Sequence, residues 1–131
     1  MARILIAEDE EAIRSLLARA LRQDGHAVTS ACDGAEAFDL LANERGAFEL
    51  LLTDIRMPVM DGIALALASA RDHPHLRILL MTGYADQRER AHGLDALILD
   101  VVTKPFSLAT MRAAVNAALG TPSRGSDGNY G

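Results

Sequence analysis

Cysteine and positive charge are both scarce in this chain of 131 residues. The single cysteine, Cys32, excludes a disulfide within the chain and suits a reducing cytoplasm. We interpret it as a small residue near the core rather than as a reactive thiol. The formal net charge is −5 and no basic stripe is present, so the chain is not expected to bind nucleic acid directly.

Long apolar runs are also missing. The apolar residues 4–7 are followed at once by the acidic residues 8–11, which does not fit a signal peptide. No stretch approaches the ~20 apolar residues of a membrane span, so no membrane insertion is expected. A glycine-rich nucleotide loop is absent, which argues against ATP binding. The histidines are scattered and are interpreted as surface residues rather than a zinc site: His26, His73, His75 and His92.

Short apolar runs alternate with longer amphipathic segments along the chain. The runs predict strands at residues 3–7, 27–30, 48–53, 77–81 and 97–102. The amphipathic segments predict helices at residues 11–23, 34–43, 62–71, 85–92 and 108–119, with Asp33, Asp61 and Ser107 as N-caps. This alternation predicts one α/β domain, a five-stranded parallel sheet with helices on both faces. We expect the domain to end at residue 119 and residues 120–131 to form a flexible tail.

Polar side chains follow four of the predicted strands, at the point where each strand ends. Glu8 and Asp9 follow the first strand, Asp54 the third, Thr82 the fourth and Lys104 the fifth. Because ligands of an open parallel sheet bind beyond the carboxyl ends of its strands, these groups are expected to converge. Three close carboxylates repel each other without a cation, and oxygen ligands favour Mg²⁺. A carboxylate can accept a phosphoryl group, and a lysine and a hydroxyl can hold its oxygens.

Each of these residues has a simpler interpretation when it is taken alone. Glu8 and Asp9 could cap the following helix, and Asp54 could be a turn residue before Pro58. Thr82 could belong to an ordinary loop. The combination of four strand ends is more specific than any of its members and favours a phosphoryl-transfer site.

The sequence resembles the receiver domains of two-component response regulators, which have the CheY-like fold. The matching segments are residues 4–9 (ILIAED), 51–62 (LLTDIRMPVMDG), 81–83 (MTG) and 104–106 (KPF), in the family's order. The resemblance covers residues 1 to about 119. It implies a cytoplasmic signalling protein that is phosphorylated, assists its own phosphorylation and dephosphorylation, and is not an enzyme in the usual sense.

The resemblance implies a role for each residue of the predicted site. Asp54 would receive the phosphoryl group from a phosphohistidine of a histidine kinase or a histidine phosphotransfer protein. Mg²⁺ would be bound by the carboxylates of Glu8, Asp9 and Asp54 and by the backbone carbonyl of Arg56. Thr82 and Lys104 would hold phosphoryl oxygens, and the peptide bond from Lys104 to the next residue is expected to be cis.

The sequence departs from the family pattern at three places. Val101 occupies the position, three residues before the lysine, where the family often has a switch aromatic. Tyr84 is the nearest aromatic that could replace it, and a partly buried loop tyrosine is the alternative interpretation. The early Gly93 predicts a short fourth helix, and Arg56 places a positive charge beside Asp54.

With no output domain expected after residue 119, the receiver would act by docking on a downstream protein. The segments around Asp54, Thr82 and Lys104 resemble most those of CpdR-type regulators, which are adaptors that control delivery of substrates to the ClpXP protease. Two competing hypotheses are a receiver-like interaction module that takes no phosphate and a phosphohydrolase with an aspartate nucleophile. The hydrolase commonly needs a carboxylate two residues after the nucleophile, where this chain has Arg56.

Overall fold

The structure, a computed structural model, describes residues 2–44, 47–83, 94 and 97–121. The elements in chain order are β1 (Arg3–Ala7), α1 (Glu11–Gln23), β2 (Ala27–Ala31), α2 (Gly34–Asn43), β3 (Leu50–Asp54), α3 (Gly62–Asp72), β4 (Arg77–Thr82), β5 (Asp100–Thr103) and α4 (Leu108–Leu119). The predicted α/β fold is confirmed. The predicted helix at residues 85–92, Tyr84, His92 and the predicted tail beyond Thr121 lie outside the described residues.

The five strands form one parallel sheet in the order β2-β1-β3-β4-β5. The order reverses between β1 and β3, since the chain adds β2 on one side and β4 and β5 on the other. A ligand cleft of such a sheet lies at this reversal, beyond the carboxyl ends of the strands. Ala7 of β1 pairs with Thr53 of β3, so the next residues, Glu8 and Asp54, lie side by side at the cleft.

Two apolar layers cover the faces of the sheet. Leu5 of β1 packs with α2 and α3, whereas Ile4 and Ile6 pack with α1 and α4. This alternation follows from the two-residue period of a strand. All five residues of β3 are buried, as expected for a central parallel strand that is covered on both faces.

The three predicted N-caps are confirmed. Each of these side chains accepts a hydrogen bond from the backbone amide three residues later. The distance is 2.8 Å for the carboxylates of Asp33 and Asp61 and 3.0 Å for the hydroxyl of Ser107. Helix α1 differs, because its N-cap is Glu10 and makes no side-chain cap bond. Neither Glu8 nor Asp9 is the N-cap of this helix, and Glu8 Oε2 instead accepts from the amide of Glu10 at 3.1 Å.

Three expectations differ from the structure in their details. Strand β5 begins at Asp100 rather than at residue 97, because the amides of Leu97 and Ile98 donate to the Leu94 carbonyl in a turn. Cys32 is exposed rather than close to the core, since it follows the edge strand β2. Leu16 departs from the amphipathic pattern that predicts helix α1, because this apolar residue is half-exposed. Among the described residues, no helix has both the length and the apolar character that crossing a membrane requires.

Ser69 is the buried polar group that the fold accommodates least well. It lies on α3 with no exposed surface, and its hydroxyl has no hydrogen-bond partner among the described residues. A buried hydroxyl without a partner costs about 1–3 kcal/mol of desolvation. Ser69→Ala is therefore expected to raise the free energy of unfolding by about 1 kcal/mol or more in urea denaturation.

Ser15→Ala is the matched control, because Ser15 is an exposed serine within helix α1. It measures the gain from helix propensity alone, about 0.5 kcal/mol. A gain at Ser69 no larger than at Ser15, or a loss of stability, would show that the hydroxyl of Ser69 is satisfied.

Candidate functional site

Three carboxylates meet where β1 and β3 end. Glu8 and Asp9 follow β1, Asp54 is the last residue of β3, and one carboxylate oxygen from each lies within 4.8 Å of the others. Glu8 is 0% exposed and Asp54 is 6% exposed, whereas Asp9 is exposed. The cluster is therefore open to solvent on the side of Asp9.

Lys104 brings a positive charge into this cluster. Its ammonium donates to Glu8 Oε1 at 2.8 Å and to Asp54 Oδ2 at 3.0 Å. Its backbone amide donates to the carbonyl of Thr82 at 2.7 Å, which ties the loop after β5 to the end of β4. The Lys104–Pro105 peptide bond is cis, as expected. Lys104 is the only lysine in the sequence, so no other lysine can take its place.

Burial and hydrogen bonding shift the pKa values of Glu8 and Lys104. Burial raises the pKa of Glu8 to about 7, against the lowering effect of hydrogen bonds from Lys104 and from the Glu10 amide. Burial alone would lower the pKa of Lys104, but its hydrogen bonds to Glu8 and Asp54 outweigh this and raise the pKa. One ammonium against three carboxylates leaves the site with excess negative charge, and the ligand atoms are all oxygens. Such a set suits a hard divalent cation.

Glu8 gives the metal-free protein a pH-dependent stability. The folded pKa of Glu8, about 7, exceeds the ordinary carboxyl value of 4.5. The contribution of Glu8 to the free energy of unfolding is therefore fully present below about pH 4.5 and is lost as the pH rises through about 7. Relative to Glu8→Gln, the wild-type protein is expected to lose stability across this range. Urea denaturation of both proteins in a chelator, at a pH on either side of the range, measures the difference. A difference that does not change with pH would contradict the raised pKa of Glu8.

The segment after Asp54 is held by two close backbone approaches. The amide of Gly62 donates to the carbonyl of Ile55 at 2.7 Å, and a Cβ at Gly62 would overlap the carbonyl oxygen of Asp54. A Cβ at Gly34, the first residue of α2, would overlap the carbonyl oxygen of Met60. Both positions therefore require glycine, and together they fix the backbone on which Asp54 is presented.

The turn within this segment is strained at Val59. Its φ is 71°, in the left-handed region that a β-branched residue rarely adopts, and its side chain is 84% exposed. The neighbouring amide of Met60 donates to the carbonyl of Pro58 at 2.8 Å. No sequence pattern had pointed to this strain.

A cavity lies beside the three carboxylates and is lined by Asp9, Asp54 and Lys104 among others. Arg56 is exposed and lines it, and its amide makes a long contact of 3.4 Å with Asp54 Oδ1. Thr82 is the last residue of β4, 1% exposed, and the following Gly83 lines the cavity. Val101 is half-buried in β5. The switch candidate Tyr84 lies outside the described residues.

Arg14 also contacts the site, a contact that its position in the sequence does not predict. Its guanidinium Nη1 donates to the backbone carbonyl of Glu8 at 2.8 Å and lies 3.4 Å from that of Asp9. Helix α1 thus holds the loop that carries both acids. An arginine within the first two turns of a helix is too common to have signalled this contact.

Comparison with known proteins agrees with this geometry. Residues 4–116 match the family model described as the response regulator receiver domain. Response regulator MprA of Mycobacterium sp. (strain KMS) is 38% identical over 117 residues, which are 89% of this chain and 50% of MprA. The chain spans about half the length of the curated relatives it matches.

Solved structures show the same fold. A receiver domain protein from Clostridium thermocellum superposes with a TM-score of 0.84 at 22% identity, over 92% of this chain and 95% of that one. Response regulator TrrA from Thermotoga maritima, in complex with Mg²⁺ and BeF, superposes with a TM-score of 0.78 at 29% identity, over 90% and 99%. The chain therefore belongs to the family of response regulator receiver domains, which are domains of two-component signalling.

Proposed function

We propose that Asp54 accepts a phosphoryl group from a phosphohistidine in a Mg²⁺-dependent reaction, and that this modification switches protein–protein interactions in the cytoplasm. The donor is a histidine kinase or a histidine phosphotransfer protein, the partner that membership of the family implies. The observation that carries the proposal is the ammonium of Lys104 between the buried carboxylates of Glu8 and Asp54, beside the exposed Asp9.

The residues present fit Mg²⁺. Glu8, Asp9 and Asp54 offer oxygen ligands that lie within 4.8 Å of one another, and the exposed side of Asp9 leaves room for the waters that Mg²⁺ retains. The backbone carbonyl of Arg56, two residues after Asp54, is proposed as a further ligand. The Mg²⁺ and BeF bound to TrrA support this assignment. When bound, Mg²⁺ supplies charge neutralisation to the carboxylates and the phosphoryl oxygens.

The chain's own residues position the reaction. A carboxylate oxygen of Asp54 forms a bond to phosphorus while the bond from phosphorus to the donor imidazole breaks, and the imidazole leaves with the bonding electrons. Lys104 already lies 3.0 Å from Asp54 Oδ2, close enough to pair with a phosphoryl oxygen once one is attached. The Thr82 hydroxyl would donate to another phosphoryl oxygen. Catalysis of this kind depends on positioning and charge neutralisation.

The phosphoryl group would change the contacts of Lys104. The phosphoryl group carries roughly −1.5 to −2 charges in place of the single carboxylate charge of Asp54, and it competes with Glu8 for the ammonium. Since the Lys104 amide bonds to the Thr82 carbonyl at 2.7 Å, a shift of Lys104 acts on the ends of both β4 and β5. We propose that Tyr84, just beyond β4, reports this shift in place of an aromatic at Val101.

The downstream role that we propose is that of a CpdR-like adaptor for the ClpXP protease. This adaptor role predicts that the chain binds ClpXP directly. Its affinity for ClpXP should change when beryllofluoride, a phosphoryl mimic, is added with Mg²⁺. Binding that is the same in both states would leave the phosphoreceiver function in place and remove the adaptor role.

The phosphoreceiver function is tested with a small phosphodonor such as acetyl phosphate. The purified chain is expected to become labelled in Mg²⁺ and to stay unlabelled in a chelator. Labelling that does not depend on a divalent cation would contradict the proposal. Repeated turnover of a phosphate monoester would instead favour the phosphohydrolase, and failure to bind Mg²⁺ would favour an interaction module that takes no phosphate.

A further inference from the structure

Helix α1 carries a basic groove in an otherwise acidic protein. Arg14, Arg19 and Arg22 line the groove together with Ser15, Gln23 and Ser30 of the edge strand β2. No carboxylate lines it among the described residues. The whole chain has 18 acidic and 13 basic residues, so a surface with three arginines and no acid runs against its composition.

The charges of these arginines are not neutralised within the described part of the chain. Arg14 donates to the carbonyls of Glu8 and Asp9, and Arg22 Nη2 donates to the carbonyl of Val28 at 2.9 Å. These are neutral acceptors that leave the positive charge in place. Arg19 makes no hydrogen bond or ion pair with any described residue.

The arginines of α1 repel one another, and an anionic partner would relieve this repulsion. Arg19 and Arg22 are three residues apart on one helix, the spacing at which like charges destabilise a helix. By contrast, Arg71 and Arg112 each pair with a carboxylate, at 2.8 Å and 3.1 Å. The arginines of α1 are therefore available to bind carboxylates or phosphates from outside.

The observations favour carboxylates of another protein over nucleic acid. No aromatic side chain lines the groove for a nucleic-acid base to stack on. Strand addition at β2 is also disfavoured, because Arg22 already occupies the carbonyl of Val28 on this edge. Guanidinium groups pair with carboxylates through two parallel hydrogen bonds, which suits a segment rich in Asp and Glu.

We propose that this arginine groove is a docking site for an acidic segment of a partner protein. The groove shares Arg14 with the loop that carries Glu8 and Asp9, but Asp54 does not line it and docking requires no phosphate at Asp54. It therefore goes beyond the proposed function, and either one can fail without the other.

The test uses a fluorescein-labelled decaglutamate peptide and the full chain, followed by fluorescence anisotropy at low and physiological ionic strength. Saturable binding that weakens with salt is expected. The double variant Arg19→Gln/Arg22→Gln should bind about tenfold more weakly, as the loss of two exposed charge pairs implies. Arg71→Gln, which removes an exposed arginine from α3, is the matched control and should bind like the wild-type protein.

A decaglutamine peptide and a single-stranded DNA of ten nucleotides complete the experiment. Neither is expected to compete with decaglutamate. The proposal is overturned if decaglutamate does not bind saturably, if the double variant binds as well as the control, or if the DNA binds more tightly than the peptide. Circular dichroism establishes that the variants retain the helical content of the wild-type protein.

Discussion

Replacing Asp54 with asparagine is expected to abolish Mg²⁺-dependent labelling of the chain by acetyl phosphate. Asparagine keeps the size of the side chain but removes the nucleophilic carboxylate oxygen and one of the negative charges that bind the cation. Lys104 keeps its contact with Glu8 in this variant, at 2.8 Å in the wild-type structure, so the fold is expected to survive. Radiolabel incorporation per chain measures the effect.

The control for this substitution is Asp39→Asn, which removes an exposed carboxylate from α2. It should label like the wild-type protein, because it leaves the three carboxylates of the site intact. Undiminished labelling of Asp54→Asn would assign the phosphoryl group to another residue and remove Asp54 from its proposed role.

The substitution Gly62→Ala is expected to have the largest effect on stability. Its Cβ would overlap the carbonyl oxygen of Asp54, which belongs to a fully buried strand and cannot move aside without disturbing the sheet. Overpacking of this kind typically costs 1–3 kcal/mol, and since the obstacle is backbone we expect about 3 kcal/mol or more. Urea denaturation gives this value, and labelling should also fall because the displaced backbone carries Asp54.

Gly120→Ala serves as its control. Gly120 ends α4 with a φ of −80°, and the nearest atom to an added Cβ would be the carbonyl oxygen of Asn116 at 3.4 Å. Its free energy of unfolding should change by less than about 0.5 kcal/mol. Equal effects at the two glycines would show that Gly62 is not required by a close backbone approach.

Local signals explain why much of the fold was predictable. Asp33, Asp61 and Ser107 each precede an amphipathic segment, and each side chain accepts from the amide three residues later, an interaction that depends on adjacent sequence alone. The start of β5 was misplaced because the turn at Leu94 uses the amides of Leu97 and Ile98. An apolar run does not reveal that competition.

The sheet topology made it possible to predict that the site residues converge, but not which contacts they make or how deeply each is buried. Residues that follow parallel strands meet at one edge, which was enough to bring Glu8, Asp9, Asp54 and Lys104 together. Sequence could not show that Glu8 becomes fully buried while Asp9 stays exposed. That difference depends on which face of the loop packs inward, and so does the contact between Arg14 and the carbonyl of Glu8.

The role of Asp54 is tested most directly by locating the phosphoryl group in the wild-type chain. Borohydride reduces an acyl phosphate to an alcohol, so a phosphorylated aspartate is recovered as homoserine. After incubation with acetyl phosphate and Mg²⁺, borohydride treatment and peptide mass spectrometry should find homoserine at position 54 and only in the samples that contained Mg²⁺. An unmodified Asp54 in a labelled chain, or homoserine at another aspartate, would contradict the account.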